Sequence, residues 1–334
     1  MAKRDNSFGG GGPMSDPRAN YDHRNESVER PGLASDLDDL IDGDVRFDDY
    51  SRELYATDAS IYEVTPVGVV YPTTTADVAA VMEYCAEREL PVLPRGGGTS
   101  LAGQTVNEAV VLDFTRYMDS VLEVDPDDRL ARTQSGAILA ELNRALEPHG
   151  LKFAPDPSTA NRSAMGGAVG NNTTGAHSLL YGKTDAYVEE LEVVLADGTV
   201  TTLGEVTLAE LEAGADPEGD LEERLYAEVH RIVEEESDHV EERFPDLKRN
   251  VSGYALDVVV EEAESGSVNL ARLIVGSEGT LAVVTAVTVS LEPLPETKAL
   301  GLLTYDSLLD AMEDVDAILD HEPAALEVLD GVLV

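Results

Sequence analysis

The apolar positions that begin near residue 67 alternate between short strand-like runs and one helical pattern. Residues 67–70 form an apolar run typical of a buried strand, and apolar positions at helical spacing follow from 78 to 85. Thr74 is placed to cap the start of this helix. Two more strand-like runs, 91–94 and 110–113, enclose a loop rich in glycine. This order of strand, helix, strand, loop and strand predicts an α/β unit with a ligand-sized gap at its strand ends.

After residue 120 the strand-like runs alternate with amphipathic helical patterns. Helical spacing covers 138–146 and 221–240, and the second pattern predicts one long acidic helix. A hairpin-like turn at 196–199 favours antiparallel pairing of the strands beside it. The strands predicted in this section are 121–124, 130–135, 188–195, 200–203, 273–275 and 281–291.

The two ends of the chain differ from the rest in composition and in the pattern of apolar positions. Residues 1–40 contain a glycine run and few apolar positions to bury, so we expect a poorly ordered extension there. After Pro295 the pattern predicts a strand at 300–305 and a helix at 308–319. A section of about forty residues is too small for an independent core, so we interpret it as the start of a domain whose remainder is absent.

The charge of the chain excludes several classes of partner. There are 66 Asp and Glu against 23 Lys and Arg, which gives a formal charge of −43. This excess excludes a nucleic-acid binder with a general basic surface and argues against docking on anionic lipid. Only five of the basic residues are Lys. The composition is similar to that of proteins from salt-accumulating halophiles, in which salt screens the self-repulsion; the alternative is a surface that serves a basic partner.

Apolar runs and cysteine content restrict the location and the cofactors. No apolar run approaches the ~20 residues of a membrane helix, and the N-terminus lacks the apolar core of a signal peptide, so we expect a soluble cytoplasmic protein. Cys85 is the single cysteine, which excludes internal disulfides and an iron–sulfur cluster held within this chain. Because Cys85 lies on the apolar face of a predicted helix, we expect it to pack as a small apolar residue.

The first cluster that carries chemistry is the loop of residues 95–103. Its adjacent glycines allow backbone N–H groups to converge on an anion, and Arg95, Thr99 and Ser100 offer further donors. A Walker A loop is excluded because Gln104 stands where the phosphate-binding Lys is required. The Rossmann fingerprint also fits poorly, since these glycines follow a strand–helix–strand unit. An ordinary flexible turn remains the alternative.

The second cluster covers residues 155–177 and combines several glycines with small and amide side chains. Such residues cannot fill a core, so a ligand is expected to approach this backbone closely. The segment suits a large polar and aromatic ligand, and a metal is not expected because carboxylates and paired His are missing. For His177 two interpretations stay open: a loop side chain bonded to a carbonyl, or a position near a reacting centre.

A third cluster, 276–280, precedes a predicted strand. It does not fit a nucleophile elbow, which needs Gly two places on either side of the Ser. By itself it indicates only a tight turn.

Together the clusters resemble one flavoprotein superfamily, that of vanillyl-alcohol oxidase and p-cresol methylhydroxylase. The shared motifs are PRGGGTSLAGQ at 94–104, PDPST at 155–159, GGAVGNNTTGAH at 166–177, LADG at 195–198 and GSEGTL at 276–281. The branch that contains D-lactate dehydrogenase and the flavoprotein component of glycolate oxidase is indicated by ATDAS at 56–60, YGKT at 181–184 and RNVSGYAL at 249–256. Within it, long forms with a C-terminal iron–sulfur region are the most similar, over roughly residues 45–334.

The resemblance implies an α+β, FAD-binding PCMH-type fold with a small α/β subdomain and a larger antiparallel-sheet subdomain. The implied organisation is an extension (1–40), a lead-in (41–61), the FAD-binding domain (62–294, with subdomains of about 62–118 and 119–294) and the start of a truncated α+β cap (295–334). Because Thr99 and Ser100 stand where relatives often carry a flavin-linking His, non-covalent FAD is implied. The substitution Gly97→Glu is expected to abolish FAD retention and to leave most of the fold intact.

The resemblance, together with the glycine-rich backbone, gives a set of cofactor-binding residues. No catalytic base and no metal ligand is assigned. The cofactor-binding residues are Pro94, Arg95, Gly96, Gly97, Gly98, Thr99, Ser100, Gly103, Gln104, Pro155, Asp156, Ser158, Thr159, Gly166, Gly167, Gly170, Asn171, Thr174, Gly175, His177, Glu278, Gly279 and Val284.

The chemistry implied by this branch is oxidation of a D-2-hydroxy acid such as D-lactate, glycolate or D-2-hydroxyglutarate, with hydride transfer to FAD. An iron–sulfur partner, or a further C-terminal region, would take the electrons. Two alternatives stay open: an FAD-binding subunit of a multisubunit oxidase without a complete active site, and a non-enzymatic nucleotide-binding protein.

Overall fold

The structure is a computed structural model that describes residues 30–245, 247, 250–251 and 253–330. Its strands are β1 (Asp44–Arg46), β2 (Gly68–Tyr71), β3 (Val92–Arg95), β4 (Val110–Asp113), β5 (Val121–Asp125), β6 (Leu130–Gln134), β7 (Leu151–Lys152), β8 (Val188–Val194), β9 (Val200–Leu203), β10 (Glu205–Thr207), β11 (Ser267–Asn269), β12 (Val283–Ser290) and β13 (Glu292–Pro293). Its α-helices are α1 (Pro31–Leu40), α2 (Asp49–Leu54), α3 (Thr75–Ala86), α4 (Leu139–Leu146), α5 (Met165–Gly170), α6 (Ser178–Tyr181), α7 (Leu208–Gly214), α8 (Leu221–Glu235), α9 (Ser237–Arg243), α10 (Leu256–Ala263), α11 (Ala271–Ile274), α12 (Leu308–Glu313) and α13 (Val315–Leu319).

The first subdomain is the predicted α/β unit. Its sheet has the order β1-β2-β4-β3, in which β4 pairs in parallel with both β2 and β3. All residues of β2 and β4 are buried, as expected for parallel strands covered on both faces. Thr74 caps α3 by accepting a hydrogen bond from the Asp77 amide, and Cys85 is fully buried on that helix. The loop after β3 therefore leaves the sheet at the carboxyl ends of its parallel strands.

Helix α1 corrects the expectation of a poorly ordered extension as far as residue 40. Ala34 and Leu37 are fully buried in the same core cluster as Val78 and Val81 of α3. Two well-placed apolar side chains are enough to dock a short helix on an existing core, although they are too few to produce a clear periodic signal. The part of this prediction that covers residues 1–29 lies outside the described residues.

The second subdomain contains the five-stranded sheet β5-β6-β12-β8-β9, in which each pairing is antiparallel. The predicted hairpin is confirmed, since Leu191 to Val194 of β8 pair with Leu203 to Val200 of β9. Val194 and Val283 contribute to the core of the first subdomain, so the two subdomains share packed side chains. This contact fixes the loop after β3 relative to the second sheet.

Three predicted elements differ in the structure. Residues 273–275 are not a strand, because Ala271–Ile274 is a short buried helix and periodicity does not separate a short buried strand from a buried helix turn. The single acidic helix of 221–240 is two helices, α8 and α9, separated at Glu236. Residues 300–305 form no strand, since no neighbouring segment of the described chain offers them a ladder of hydrogen bonds.

The section after residue 294 leaves the second sheet and exposes most of its apolar side chains. Leu300 is 97% exposed and Leu302 is 83% exposed. Helices α12 and α13 bury none of their residues. That this section is the start of a cap domain, and the other domain boundaries, stay predictions.

Candidate functional site

Three segments from the two subdomains enclose one open cleft. They are the loop 96–100 after β3, helix α5 and the turn 276–279, and the cleft between them holds about 850 Å³ of empty space. We call it the glycine cleft. Its lining residues are Pro94, Arg95, Gly96, Gly97, Gly98, Thr99, Ser100, Gln104, Thr105, Phe114, Ser135, Ser163, Ala164, Gly166, Gly167, Ala168, Gly170, Asn171, Thr173, Ile274, Ser277, Glu278, Gly279, Ala282 and Val284.

The loop 96–100 presents free backbone donors to this cleft. None of its five amide groups donates a hydrogen bond to any residue in the described part of the chain. Gly98 has a φ of +63°, a conformation that favours glycine and allows successive N–H groups to point to one side. Converging amides of this kind form an anion-binding concavity.

Arg95 lines the cleft and is also tied to the chain behind the loop. Its Nη1 donates to the carbonyl oxygens of Tyr55 at 3.2 Å and Thr105 at 2.8 Å, and its Nη2 donates to that of Thr57 at 2.8 Å. Burial lowers the pKa of Arg95, while the charges of Tyr55 and Asp113 act in the opposite direction. Three of its hydrogen bonds are thus made to backbone carbonyls, and that Arg95 also donates to the ligand stays a prediction.

Helix α5 presents the bare backbone of its glycines at the opposite wall of the cleft. Met165, Ala168 and Val169 are buried and hold the helix on the second subdomain. A Cβ atom built on Gly167 meets nothing within 4 Å, so this residue opens onto the cleft that it lines. A Cβ atom on Gly97, in contrast, would lie 1.9 Å from the Arg162 carbonyl oxygen. Gly97 thus allows a close approach of two backbones, whereas Gly167 keeps space free for a ligand.

The turn 276–279 closes one side of the cleft. The amides of Gly276 and Glu278 donate to the carbonyl oxygens of Val169 and Gly170, both at 2.9 Å, which docks the turn on the end of α5. Gln104 Nε2 donates to Glu278 Oε1 at 3.2 Å and links the two subdomains at the cleft. The buried Ser277 Oγ has no hydrogen-bond partner among the described residues. A turn that looked ordinary in the sequence therefore supplies an unused polar group to the cleft.

A buried polar network fixes the end of the second cluster. Asn172, which has a φ of +44°, donates from Nδ2 to Asp185 Oδ2 at 2.9 Å and accepts from the Asp185 amide at 3.0 Å. Lys183 Nζ lies 2.7 Å from the same Asp185 oxygen and 2.8 Å from the Asn250 carbonyl oxygen. This network holds Asn171 and Thr173, the cleft-lining neighbours of Asn172, in place.

Some of the predicted cofactor residues do not line the glycine cleft. Thr159 contacts the lining only indirectly, through its Oγ1, which is 2.9 Å from the Oγ of the lining residue Ser163. Asp156 and His177 line a second cleft instead. The predicted residues outside the lining of the glycine cleft are Gly103, Pro155, Asp156, Ser158, Thr159, Thr174, Gly175 and His177.

The structure adds lining residues that the motifs did not indicate. Ser135 comes from the end of β6, Phe114 from the end of β4, and Ser163 from the turn before α5. These residues lie outside the glycine-rich runs, and only the pairing of the strands brings them to the cleft. No local signal in the sequence distinguishes them.

Comparison with known proteins identifies the cofactor of this domain. Residues 66–204 match the family model described as an FAD binding domain. This part of the chain is similar to the FAD-binding domains of that family. The matched range contains the loop 96–100 and helix α5, so FAD is the cofactor of this domain.

Relatives and a solved structure agree with this assignment. The D-2-hydroxyglutarate dehydrogenase of Pseudomonas putida is 34% identical over 318 residues, which cover 94% of this chain and 30% of that protein. The glycolate oxidase subunit GlcD of Bacillus subtilis is 32% identical over 296 residues, 87% of this chain and 52% of that protein. The chain thus spans about a third to a half of the length of these relatives.

The fold is also that of a solved structure. An alkyldihydroxyacetonephosphate synthase superposes with a TM-score of 0.58 at 18% identity, over 87% of this chain and 46% of that chain. The predicted α+β fold with two subdomains of the PCMH type is thereby confirmed.

The residues of the glycine cleft fit the chemistry of FAD. The free amides of loop 96–100 match a diphosphate, and the space beside Gly167 allows a bulky group to approach the backbone. Among the described residues, no group of His, Cys, Asp and Glu is arranged to hold a metal ion. None of the helices in the described ranges is long and apolar enough to cross a membrane.

Proposed function

We propose that this chain is the FAD-binding portion of a flavin-dependent dehydrogenase or oxidase of D-2-hydroxy acids. The observation that carries the proposal is the glycine cleft, with five free amides facing an open helix backbone inside the matched FAD-binding domain. The relatives named as D-2-hydroxyglutarate dehydrogenase and glycolate oxidase subunit support the substrate class. When bound, FAD would accept the hydride from C2 of the hydroxy acid.

In this proposal the chain's own residues bind and orient the cofactor. The amides of loop 96–100 hold the diphosphate, and the guanidinium of Arg95 keeps the loop in shape through its three carbonyl contacts. Gly167 lets the cofactor lie against α5, and Ser277 Oγ supplies a hydrogen bond. Thr99 and Ser100 offer no residue for a flavin linkage, so FAD is held non-covalently and is released by acid denaturation.

A second candidate function is an FAD-binding subunit whose active site is completed by other residues. The exposed apolar side chains of 300–329 favour it, because Leu300, Leu302 and Leu309 are covered by no described residue. An iron–sulfur electron acceptor, a cytoplasmic location and adaptation to high salt belong to the same proposal.

Flavin titration tests the proposal. The protein is purified in high salt, loaded with FAD, desalted, and mixed anaerobically with D-2-hydroxyglutarate, D-lactate or glycolate. Retained flavin absorbance that is bleached by one of these acids supports the first candidate, and retained but unbleached flavin supports the second. A colourless protein that takes up no FAD contradicts both.

A further inference from the structure

A second cleft lies at the far end of the same segment that lines the glycine cleft. It spans about 1640 Å³, including the solvent at its open mouth, and is walled by the end of α4, by β7 and by the chain that leaves β13. Asp156 and His177 reach it from the two ends of the 155–177 cluster, whose middle lines the glycine cleft. We call it the lysine cleft because Lys152 and Lys298 line it.

The charge of this cleft differs from that of the rest of the molecule. The chain has five Lys and a formal charge of −43, yet two of those Lys, together with Arg144, line this one cleft. The acidic side chains that line it are Glu147 and Asp156. Three cationic side chains thus line the cleft with two carboxylates, a local excess of one positive charge in a strongly negative protein. This excess indicates a site for a small anion, because the surrounding surface repels anions elsewhere.

The His177–Asp156 pair is joined by a hydrogen bond, and the backbone beside it is closely packed. His177 Nδ1 lies 2.7 Å from Asp156 Oδ2, and both side chains are 42% exposed. Gly175 packs on the Asp156 backbone, where a Cβ atom would come within 2.4 Å of the carbonyl oxygen. The Gly175 amide donates to Ser178 Oγ at 2.7 Å, which closes the turn around His177. When Nδ1 donates its proton to Asp156, the other ring nitrogen, Nε2, is an acceptor.

Lys152 and the His177–Asp156 pair share one wall of the cleft. Lys152 lies opposite Glu292 in the backbone pairing of β7 with β13. Its Nζ lies 3.6 Å from the centre of the Tyr181 ring. Tyr181 is tied to His177 by the hydrogen bond from its amide to the His177 carbonyl oxygen, at 3.0 Å. A cationic group and a hydrogen-bond acceptor are therefore presented by neighbouring residues of one built wall.

We propose that the lysine cleft binds a small carboxylate with a hydroxyl group beside it, Lys152 and Lys298 binding the carboxylate and His177 Nε2 accepting a hydrogen bond from the hydroxyl. This inference rests on the proposed function, since a 2-hydroxy acid has these two groups. It adds residues from the FAD-binding portion itself to the binding of the substrate.

Calorimetric titration of the flavin-free and the FAD-loaded protein with D-2-hydroxyglutarate and with glutarate tests this inference. Wild type is expected to bind both acids saturably at constant high salt, and the hydroxy acid roughly tenfold more tightly. Lys152→Met and Lys298→Met should each weaken both acids roughly tenfold. Arg88→Met, which removes a positive charge at the end of α3 outside the cleft, should change neither affinity more than about twofold.

His177→Phe separates the hydroxyl contact from the carboxylate contact. It should remove the preference for the hydroxy acid and leave glutarate binding unchanged, and a thermal melt confirms that each variant is folded. The inference is overturned if wild type binds neither acid, if Arg88→Met weakens binding as much as the lysine variants, or if His177→Phe keeps the preference. Flavin absorbance is measured on the same samples, so a loss of FAD binding is distinguishable from a loss of acid binding in the lysine cleft.

Discussion

The two clefts are built from different parts of the polypeptide. The glycine cleft presents backbone: five free amides on one wall and a helix with no side chain at Gly167 on the other. The lysine cleft presents side chains, of which Lys152, Lys298 and His177 are far apart in the sequence. A backbone site tolerates no added side chain, whereas a side-chain site depends on the charge and shape of each residue. The clefts should therefore respond to different substitutions.

The largest expected effect is that of a side chain placed in the glycine cleft. Gly167→Leu should abolish measurable FAD binding, because the new side chain fills the open space in which the cofactor lies. The fold should be kept, since a Cβ atom at this position meets no protein atom within 4 Å. Flavin retention after desalting and a thermal melt are the two measurements.

Gly301→Leu is the matched control, because Gly301 also has nothing within 4 Å of a Cβ atom and lies outside the cleft. FAD binding by Gly167→Leu at wild-type affinity would contradict the placement of the cofactor. Gly97→Glu is a poor test, contrary to the expectation from the sequence. Its Cβ atom would collide with the Arg162 carbonyl oxygen, so the loop itself would be displaced.

The second prediction concerns the network behind the glycine cleft. Lys183→Met leaves the Asp185 carboxylate buried without its cation, and should lower the free energy of unfolding by about 3–5 kcal/mol. FAD affinity should fall as well, because the network positions Asn171 and Thr173. Chemical denaturation at fixed salt and a flavin titration measure the two effects.

Lys152→Met provides the comparison between the clefts. It removes a lysine from the lysine cleft and should leave FAD affinity unchanged. If Lys152→Met lost as much FAD affinity as Lys183→Met, the two clefts would not be independent of each other.

The smallest expected effect is at the link across the mouth of the glycine cleft. Gln104→Ala removes the hydrogen bond to Glu278, which is solvent-exposed, so FAD affinity should fall only about two- to fivefold. Gln134→Ala, which removes a hydrogen bond from the Ser120 amide outside the cleft, should leave the affinity unchanged. A loss of more than a hundredfold in a titration of Gln104→Ala would assign this link a larger role than its geometry supports.

Local signals predicted much of the fold and of the glycine cleft. The parallel unit was visible because β2 and β4 consist mainly of apolar residues, and the loop 96–100 because its glycines follow a strand. The sequence could not show that Arg95 turns back to three carbonyls, since their positions depend on the folded lead-in. It also could not show that the middle of the 155–177 cluster lines the glycine cleft while Asp156 and His177, near its ends, line the lysine cleft. Long-range packing decides both features.

The central claim, that backbone amides of loop 96–100 bind the diphosphate of FAD, is tested most directly by nuclear magnetic resonance. Gly96 is the only glycine that follows an arginine, so carbonyl-¹³C arginine with ¹⁵N glycine isolates its amide resonance. On addition of FAD this resonance should shift strongly downfield in the proton dimension, as expected for an amide that donates to a phosphate oxygen, and inorganic pyrophosphate should shift it in the same direction. A Gly96 amide that stays in place while FAD binds would contradict the claim.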